Sequence, residues 1–339
     1  MAQQIGICLV GAGRAGLIHA HNFQGKIPQA KVVAVVDPNQ EAAEKAAKEL
    51  GVDRWYTSVE PALDNRAVDA VVIATPTWHH KAIAVAASEA GKHILCEKPM
   101  AMNEEECDAM IEAAERNNVQ LHVAFMRRFD SSFRQAKKMV ESGEIGDVVL
   151  VKSTTRGPSI PQRWQYDIAQ SNGPLAEVNS HDIDTIRWFS DSEFKSVYAI
   201  AGNYRCPEAK GEFPDFYDNV IMIASLTGGQ QAFVDGAVSV KYGYDARVEI
   251  LGEKGVITVG QHHEGSVVIC SQGSNVTRPV MKSWRNLFAE AYLAEDLNFV
   301  TSILEGRPPL VSGVDGKMVV KVVQAGNTSI LEKRIVHLE

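Results

Sequence analysis

From residue 5 to about residue 124, short apolar runs alternate with longer segments of helical period. The apolar runs are IGICLVG, KVVAVVD, DAVVIAT, HILCEKP and QLHVAF. Between them lie a helix-like segment ending near Phe23, then EAAEKAAKEL, HKAIAVAASEAG and EEECDAMIEAAERNN. Strands alternating with helices in this way imply parallel β-α-β units with right-handed crossovers, and so a doubly wound parallel sheet.

Past residue 150 the pattern changes to longer β-rich runs such as DNVIMIASL, GQQAFVDGAVSV, ARVEILG and GVITVG, separated by turns such as TGGQ and GEKG. These read as antiparallel strands joined by hairpins and short turns. Helices are expected near residues 174 to 189 and 287 to 304. The fold class is therefore α/β: an N-terminal doubly wound parallel sheet over residues 1–124, then an α/β domain over 125–339 on an open, mainly antiparallel sheet. The C-terminal tail is free to pack back, and no internal repeat or long linker interrupts the chain.

A chain of 339 residues, 45% hydrophobic and 22% charged, has the length for two domains and the apolar content for buried cores. No run approaches the roughly 18 apolar residues of a membrane span, and the start MAQQIGICLVGAG lacks a secretion signal, so a cytoplasmic protein without membrane partners is expected. Cys8, Cys96, Cys107, Cys206 and Cys270 form no CxxC pair and fit neither a disulfide framework nor a zinc ribbon. A formal net charge of −8 with no dense basic tract argues against nucleic acid.

The first strand runs into GAGRAG, which sets Gly11, Gly13 and Gly16 in a G-x-G-x-x-G frame before a helix that begins near Ala15. Glycines permit a tight turn and close approach to a pyrophosphate, and the helix N-terminus offers unpaired N–H groups. Asp37 ends the second strand 37 − 16 = 21 residues after the last glycine, where a carboxylate accepts hydrogen bonds from the adenosine ribose. The plainer alternative is a tight turn with an N-capping aspartate. Pro38 and Asn39 follow, with no immediate arginine for a 2′-phosphate, so NAD is favoured over NADP.

The third run ends in Thr75, Pro76 and Thr77, at the strand edge where ligands sit in such sheets. His79 and His80 follow, but adjacent side chains do not converge on a helix, so capping or packing is favoured over a metal site and no metal is expected. The expected cofactor contacts are Gly11, Gly13, Arg14, Ala15, Gly16, Asp37, Thr75, Pro76, His80, Glu97 and Lys98.

Lys98 ends the run HILCEKP at the same sheet edge, and Pro99 biases it towards an extended conformation and ends strand pairing. A cation there can assist proton transfer at a hydroxyl undergoing oxidation; the alternative is a surface lysine paired with Glu97. If NGPLAEVNSHDIDTIRWF is helical, Glu177, His181 and Asp184 fall at i, i+4 and i+7 on one face. A carboxylate one turn before an imidazole can orient it as a base. The alternative is a solvated polar stripe, which Trp188 at i+11 disfavours.

Together IGICLVGAGRAG, CEKP, FMRRFD, EVNSHDID and YGYDARVEILGEKG resemble the Gfo/Idh/MocA oxidoreductases over nearly the whole chain, and within them the inositol 2-dehydrogenase branch. The resemblance implies an N-terminal Rossmann domain and a C-terminal domain whose sheet forms homodimer or homotetramer interfaces. It implies NAD-dependent oxidation of a secondary hydroxyl of a cyclic polyol or sugar, with Lys98 and His181 catalytic. Glu177 replaces the aspartate that usually partners the histidine. Met126, Arg127, Asp184 and Tyr244 match positions lining the polyol pocket, while Thr155 and Gly157, flanking Arg156, stand where inositol dehydrogenases can carry a histidine and an asparagine.

That departure opens the substrate to other inositol isomers or pyranosides, with Arg156 and Trp164 as further substrate contacts and the tryptophan suited to the apolar face of a sugar ring. Two alternatives remain at this point. One is a sugar or glycoside oxidoreductase of the same family that recycles its cofactor, and the other a non-catalytic NAD-dependent sensor.

Overall fold

A computed structural model describes residues 4–260, 263–271 and 275–338. The chain divides into two compact units, one of residues up to Phe129 with Glu290–Val320, the other of Asp130–Ala289 with Lys321–Glu339. The first half of the chain thus reclaims a segment from near its end, a division that a single cut near residue 124 does not reproduce.

The first unit is a six-stranded sheet ordered β3-β2-β1-β4-β5-β6. Its strands are β1 (Ile5–Val10), β2 (Ala30–Val36), β3 (Trp55–Tyr56), β4 (Ala70–Ile73), β5 (His93–Glu97) and β6 (Leu121–Ala124). Every pair is parallel. Strand order reverses between β1 and β4, which opens a crevice at their carboxyl ends. The core joins Leu9, Phe23, Val35, Val72 and Leu95 to Phe299 and Val300, which the helix Ala289–Glu305 brings back to the sheet.

The second unit holds a seven-stranded sheet ordered β12-β11-β7-β10-β9-β8-β15. The strands are β7 (Val148–Arg156), β8 (Phe194–Gly202), β9 (Asn219–Leu226), β10 (Gln231–Ala237), β11 (Asp245–Gly252), β12 (Val256–Val259) and β15 (Val336–His337); β13 (Ile269–Ser271) and β14 (Asn275–Thr277) form a separate two-stranded ribbon. Only β7 and β10 pair in parallel; the rest are antiparallel. Residues on β7 alternate: Val151, Ser153 and Thr155 are buried, whereas Lys152 and Thr154 point to the opposite face. On that opposite face Tyr198, Ile200, Ile223, Leu251 and Val256 are exposed.

One helical expectation needs correction. The stretch 174–189 is not one helix: Gly173–Glu177 ends at Val178, and a second helix, Ser180–Ser190, starts after Asn179. A further helix, over Gly313–Glu332, which the residue pattern does not announce, precedes β15. Its β-branched run and its glycines have low helix propensity, so burial of Val319, Val320, Val322 and Val323 stabilises it instead. Gly313 and Gly316 let it approach closely, since a Cβ at Gly316 would lie 2.6 Å from Met100 Sδ.

Candidate active site

The glycine turn has two glycines fixed by the protein and one left open. Gly11 has φ +100°, and a Cβ there would lie 2.6 Å from the Ala74 carbonyl oxygen; at Gly16 a Cβ would lie 2.1 Å from the Gly11 oxygen. At Gly13 a Cβ would meet nothing within 4 Å. Gly13 is the N-cap of the helix Arg14–Gly25 and supplies no side-chain cap to its first N–H groups. An open glycine beside uncapped N–H donors fits a pyrophosphate.

Asp37 ties this turn to the end of β2. Its carboxylate accepts hydrogen bonds from the Ala12 N–H (2.9 Å) and the Asn39 N–H (2.9 Å). Across the crevice, at the end of β4, Thr75 Oγ1 is buried with no hydrogen-bond partner among the described residues. An orphaned hydroxyl beside the open turn is a further point of fit for a nucleotide. Pro76 is half-buried next to it.

His80 is fully buried, with Nε2 2.8 Å from the Thr75 carbonyl oxygen and Nδ1 2.9 Å from that of Pro99, and the neutral ring donates its one N–H to one of them. Burial holds its pKa below the ordinary histidine value. It stands between the Thr75 and Pro99 turns at the carboxyl ends of β4 and β5.

β5 ends at Glu97, so Lys98 is the first residue past the strand, half-exposed, with a cis peptide to Pro99. The β5–β6 register sets Glu97 opposite Ala124, which puts Met126 and Arg127 just beyond the same sheet edge, both buried. Glu97 Oε2 accepts from the Lys98 N–H at 3.0 Å, and Glu97 Oε1 lies 3.3 Å from His19 Nε2. On the other side of that ring, Nδ1 lies 2.5 Å from Asp296 Oδ1. Burial opposes ionisation of His19, but Asp296 and Glu97 outweigh it and hold the imidazole well above its ordinary pKa. Burial likewise opposes ionisation of Glu97; His19 and Lys98 outweigh it and keep the carboxyl below the usual range. Burial raises the Asp296 carboxyl, although His19 and Asn22 oppose it.

His19, Asn22 and Asp296 went unread in the sequence. The only trace is His19 one turn past the glycine motif on the helix face opposite solvent; its partner lies 277 residues away.

In the second unit the helix Ser180–Ser190 carries His181 (6% exposed) and Asp184 (1%). Asp182, wholly buried, anchors it to β7 by accepting from Ser153 Oγ (2.5 Å), Thr155 Oγ1 (2.9 Å) and Asn179 Nδ2 (2.7 Å). The Thr155 hydroxyl is therefore committed to the helix anchor. Glu177, beyond the helix break, accepts from Gln165 Nε2 at 3.0 Å, and Gln165 in turn caps its own short helix through the Gln162 N–H (2.8 Å). Gln165 is a further residue that sequence reasoning missed.

Tyr244 is buried at the start of β11, edge-on to Phe288 at 6.5 Å. A Cβ at Gly157 would lie 3.6 Å from the Tyr244 ring, an ordinary contact, so position 157 faces Tyr244. Trp164 is half-buried, its indole N–H donating to Gln162 Oε1 at 2.9 Å. Arg156 departs from expectation. It faces the side of β7 opposite Thr155 and is ion-paired to Asp235 on β10, so the structure does not bring it together with the His181 helix.

Among the described residues no group of three or more His, Cys, Asp or Glu side chains could hold a metal ion. Among the described residues no helix is long and apolar enough to cross a membrane.

A doubly wound sheet with an open glycine turn, a carboxylate at the end of β2 and a second, mixed-sheet unit defines a dinucleotide-binding oxidoreductase. Residues 5–125 match the oxidoreductase family with an NAD-binding Rossmann fold, and residues 133–258 match the GFO/IDH/MocA C-terminal domain; the chain belongs to this family. It is similar to a myo-inositol 2-dehydrogenase of Thermotoga maritima, 32% identical over 98% of each chain. It is also similar to an NAD-dependent scyllo-inositol 2-dehydrogenase of Bacillus subtilis, 31% identical over 100% of this chain and 98% of that one. A scyllo-inositol dehydrogenase of Lactobacillus casei, solved with NAD(H) and scyllo-inositol, superposes with a TM-score of 0.89 at 29% identity over 99% of each chain.

Proposed function

We propose that the protein is an NAD-dependent dehydrogenase that oxidises a secondary hydroxyl of a cyclic polyol of the inositol class. One observation carries this reading: a lysine, Lys98, stands at the carboxyl end of β5 in an NAD-binding sheet, in a chain similar end to end to inositol dehydrogenases. NAD, when bound, supplies the hydride acceptor. Gly11, Gly13, Arg14, Ala15 and Gly16 hold its pyrophosphate, Asp37 its adenosine ribose, and Thr75 and Pro76 the crevice wall.

Lys98 polarises the oxygen of the hydroxyl being oxidised and shares in moving its proton. His181 accepts that proton as general base, and Glu177, oriented by Gln165, supports the imidazole. Met126, Arg127, Asp184, Tyr244 and Trp164 contribute substrate contacts.

Gly157 and the committed Thr155 hydroxyl favour a second reading, a pyranose or glycoside substrate. Neither position offers a side chain free to donate to a ring hydroxyl, and a site that loses such a partner discriminates sharply. NADH formation by the purified protein with NAD, across inositol isomers, pyranoses and glycosides, separates the two. Turnover of an inositol supports the first reading, turnover confined to sugars supports the second, and none with any substrate refutes both. Lys98→Ala is expected to lower kcat by about 100-fold or more with NAD binding kept; near-normal turnover would remove Lys98 from the mechanism.

The exposed sheet face of Tyr198, Ile200, Ile223, Leu251 and Val256 suits a second copy of this chain, as a homodimer or homotetramer. Light scattering on an Ile200→Glu/Ile223→Lys double variant tests it: a monomer supports this interface, an unchanged oligomer refutes it. Five free cysteines, four of them buried, suit the reducing cytoplasm.

A further inference from the structure

We propose that Asp296, His19 and Glu97 form a buried positioning network that fixes the direction in which Lys98 leaves the sheet, with His19 as its centre. The inference rests on the reading of Lys98 as a catalytic residue.

Three acid–base side chains lie in line inside the first unit, His19 and Asp296 at 0% exposure and Glu97 at 6%. Both ring nitrogens of His19 face carboxylates, Nδ1 to Asp296 and Nε2 to Glu97. The remaining oxygens are also occupied. Asp296 Oδ2 accepts from Asn22 Nδ2 at 2.8 Å, with Lys26 Nζ behind it on Asn22 Oδ1 at 3.0 Å, and Glu97 Oε2 accepts from the Lys98 N–H at 3.0 Å. Tyr292 closes the ring edge-on at 5.3 Å.

Burying three ionisable groups is an expensive way to fill a core, since apolar side chains of similar volume do so without desolvation cost. The network has an output that apolar packing lacks. Its last hydrogen bond falls on the backbone of the residue proposed to touch substrate, and it spans the glycine-turn helix, the end of β5 and the returning helix Ala289–Glu305. A displacement of about 1 Å at a catalytic group can cost on the order of 100-fold in rate. His19 and Asp296 touch neither substrate nor cofactor in this account; they act through Glu97.

The test compares Glu97→Gln, His19→Ala, His19→Gln and the His19→Ala/Glu97→Gln double variant with Lys98→Ala, reading kcat, KM, NAD affinity and Tm for each. Glu97→Gln is nearly isosteric and keeps an oxygen for the Lys98 N–H, so it remains informative if His19→Ala fails to fold. The network predicts a fall in kcat of roughly 10- to 100-fold in Glu97→Gln and His19→Ala with KM held within about twofold in both and NAD affinity held within about twofold in His19→Ala. It also predicts partial recovery in His19→Gln and a double variant no worse than the poorer single one. Unchanged kcat in Glu97→Gln and His19→Gln while Lys98→Ala is inactive would overturn the network and leave the Lys98 reading standing. Loss of kcat only in step with Tm or NAD affinity would also overturn it, as a purely structural role. Near-normal turnover in Lys98→Ala would instead sink the reading on which the inference rests.

Discussion

At the scale of single residues, the three glycines of the turn do different work and should fail differently. Gly11→Ala sets a Cβ 2.6 Å from a backbone oxygen at a positive φ, so it strains the fold as well as the site. Gly13→Ala meets nothing of the protein within 4 Å. It should keep Tm within about 2 °C and still weaken NAD at least tenfold by standing where the pyrophosphate approaches; titration of NAD by fluorescence, beside a melting curve, checks both. The buried histidines set a second expectation. Burial lowers His122 to about 3, so the group is neutral in the folded protein while the unfolded one binds a proton below its ordinary value near 6.5. Its contribution to stability is complete above that value and is lost as pH falls towards 3, at up to about 1.4 kcal/mol per pH unit. His122→Gln should flatten the decline of Tm between pH 6 and pH 4 relative to wild type; an identical slope would reject the assignment.

At the scale of elements, the anchor of the helix Ser180–Ser190 matters more than the propensity of the helix itself. Asp182→Ala would strand Ser153, Thr155 and Asn179 in the core and cost about 3 kcal/mol or more, measurable as a lower denaturation midpoint with a parallel loss of activity. Gly236→Ala should act on the same joint, because a Cβ there would lie 1.9 Å from Asn179 Oδ1. This joint also shows where the residue pattern stops being legible. The strands, the glycine turn, Asp37 and the place of Lys98 at the end of β5 follow from short-range grammar: apolar runs, turn residues and a proline. The helix break between Glu177 and His181 does not, because Asn179 is packed on β10 at Gly236, a contact that exists only once the sheet has formed. For the same reason i+4 spacing overstated the regularity of the Glu177–His181 pair. Arg156 was misjudged through strand alternation, a difference of one residue turning its side chain to the other face of β7. His19 and Asp296 could not be paired from a string in which 277 residues separate them.

At the scale of the whole molecule, the first unit is discontinuous in sequence. Phe299 and Val300 sit in the same core as Leu9, Phe23 and Val72, and Asp315 pairs with Arg128 at 2.9 Å. Residues 1–129 expressed alone should therefore lack cooperative unfolding and expose apolar surface, whereas the same segment joined by a flexible linker to residues 290–320 should regain a sigmoidal melt. A cooperative transition in the short fragment would show that the returning segment is dispensable.

That return has a consequence for how the protein is made. A ribosome adding about 5–20 residues per second must traverse 290 − 129 = 161 further residues before the missing part of the first core is synthesised, a delay on the order of ten seconds or more. Throughout that interval the nascent nucleotide fold has an uncovered apolar flank, and His19 lacks its partner Asp296. Assembly of the amino-terminal half thus waits on the near-complete chain, so premature termination anywhere before residue 290 should yield a species recognised by chaperones and proteases rather than an NAD-binding fragment.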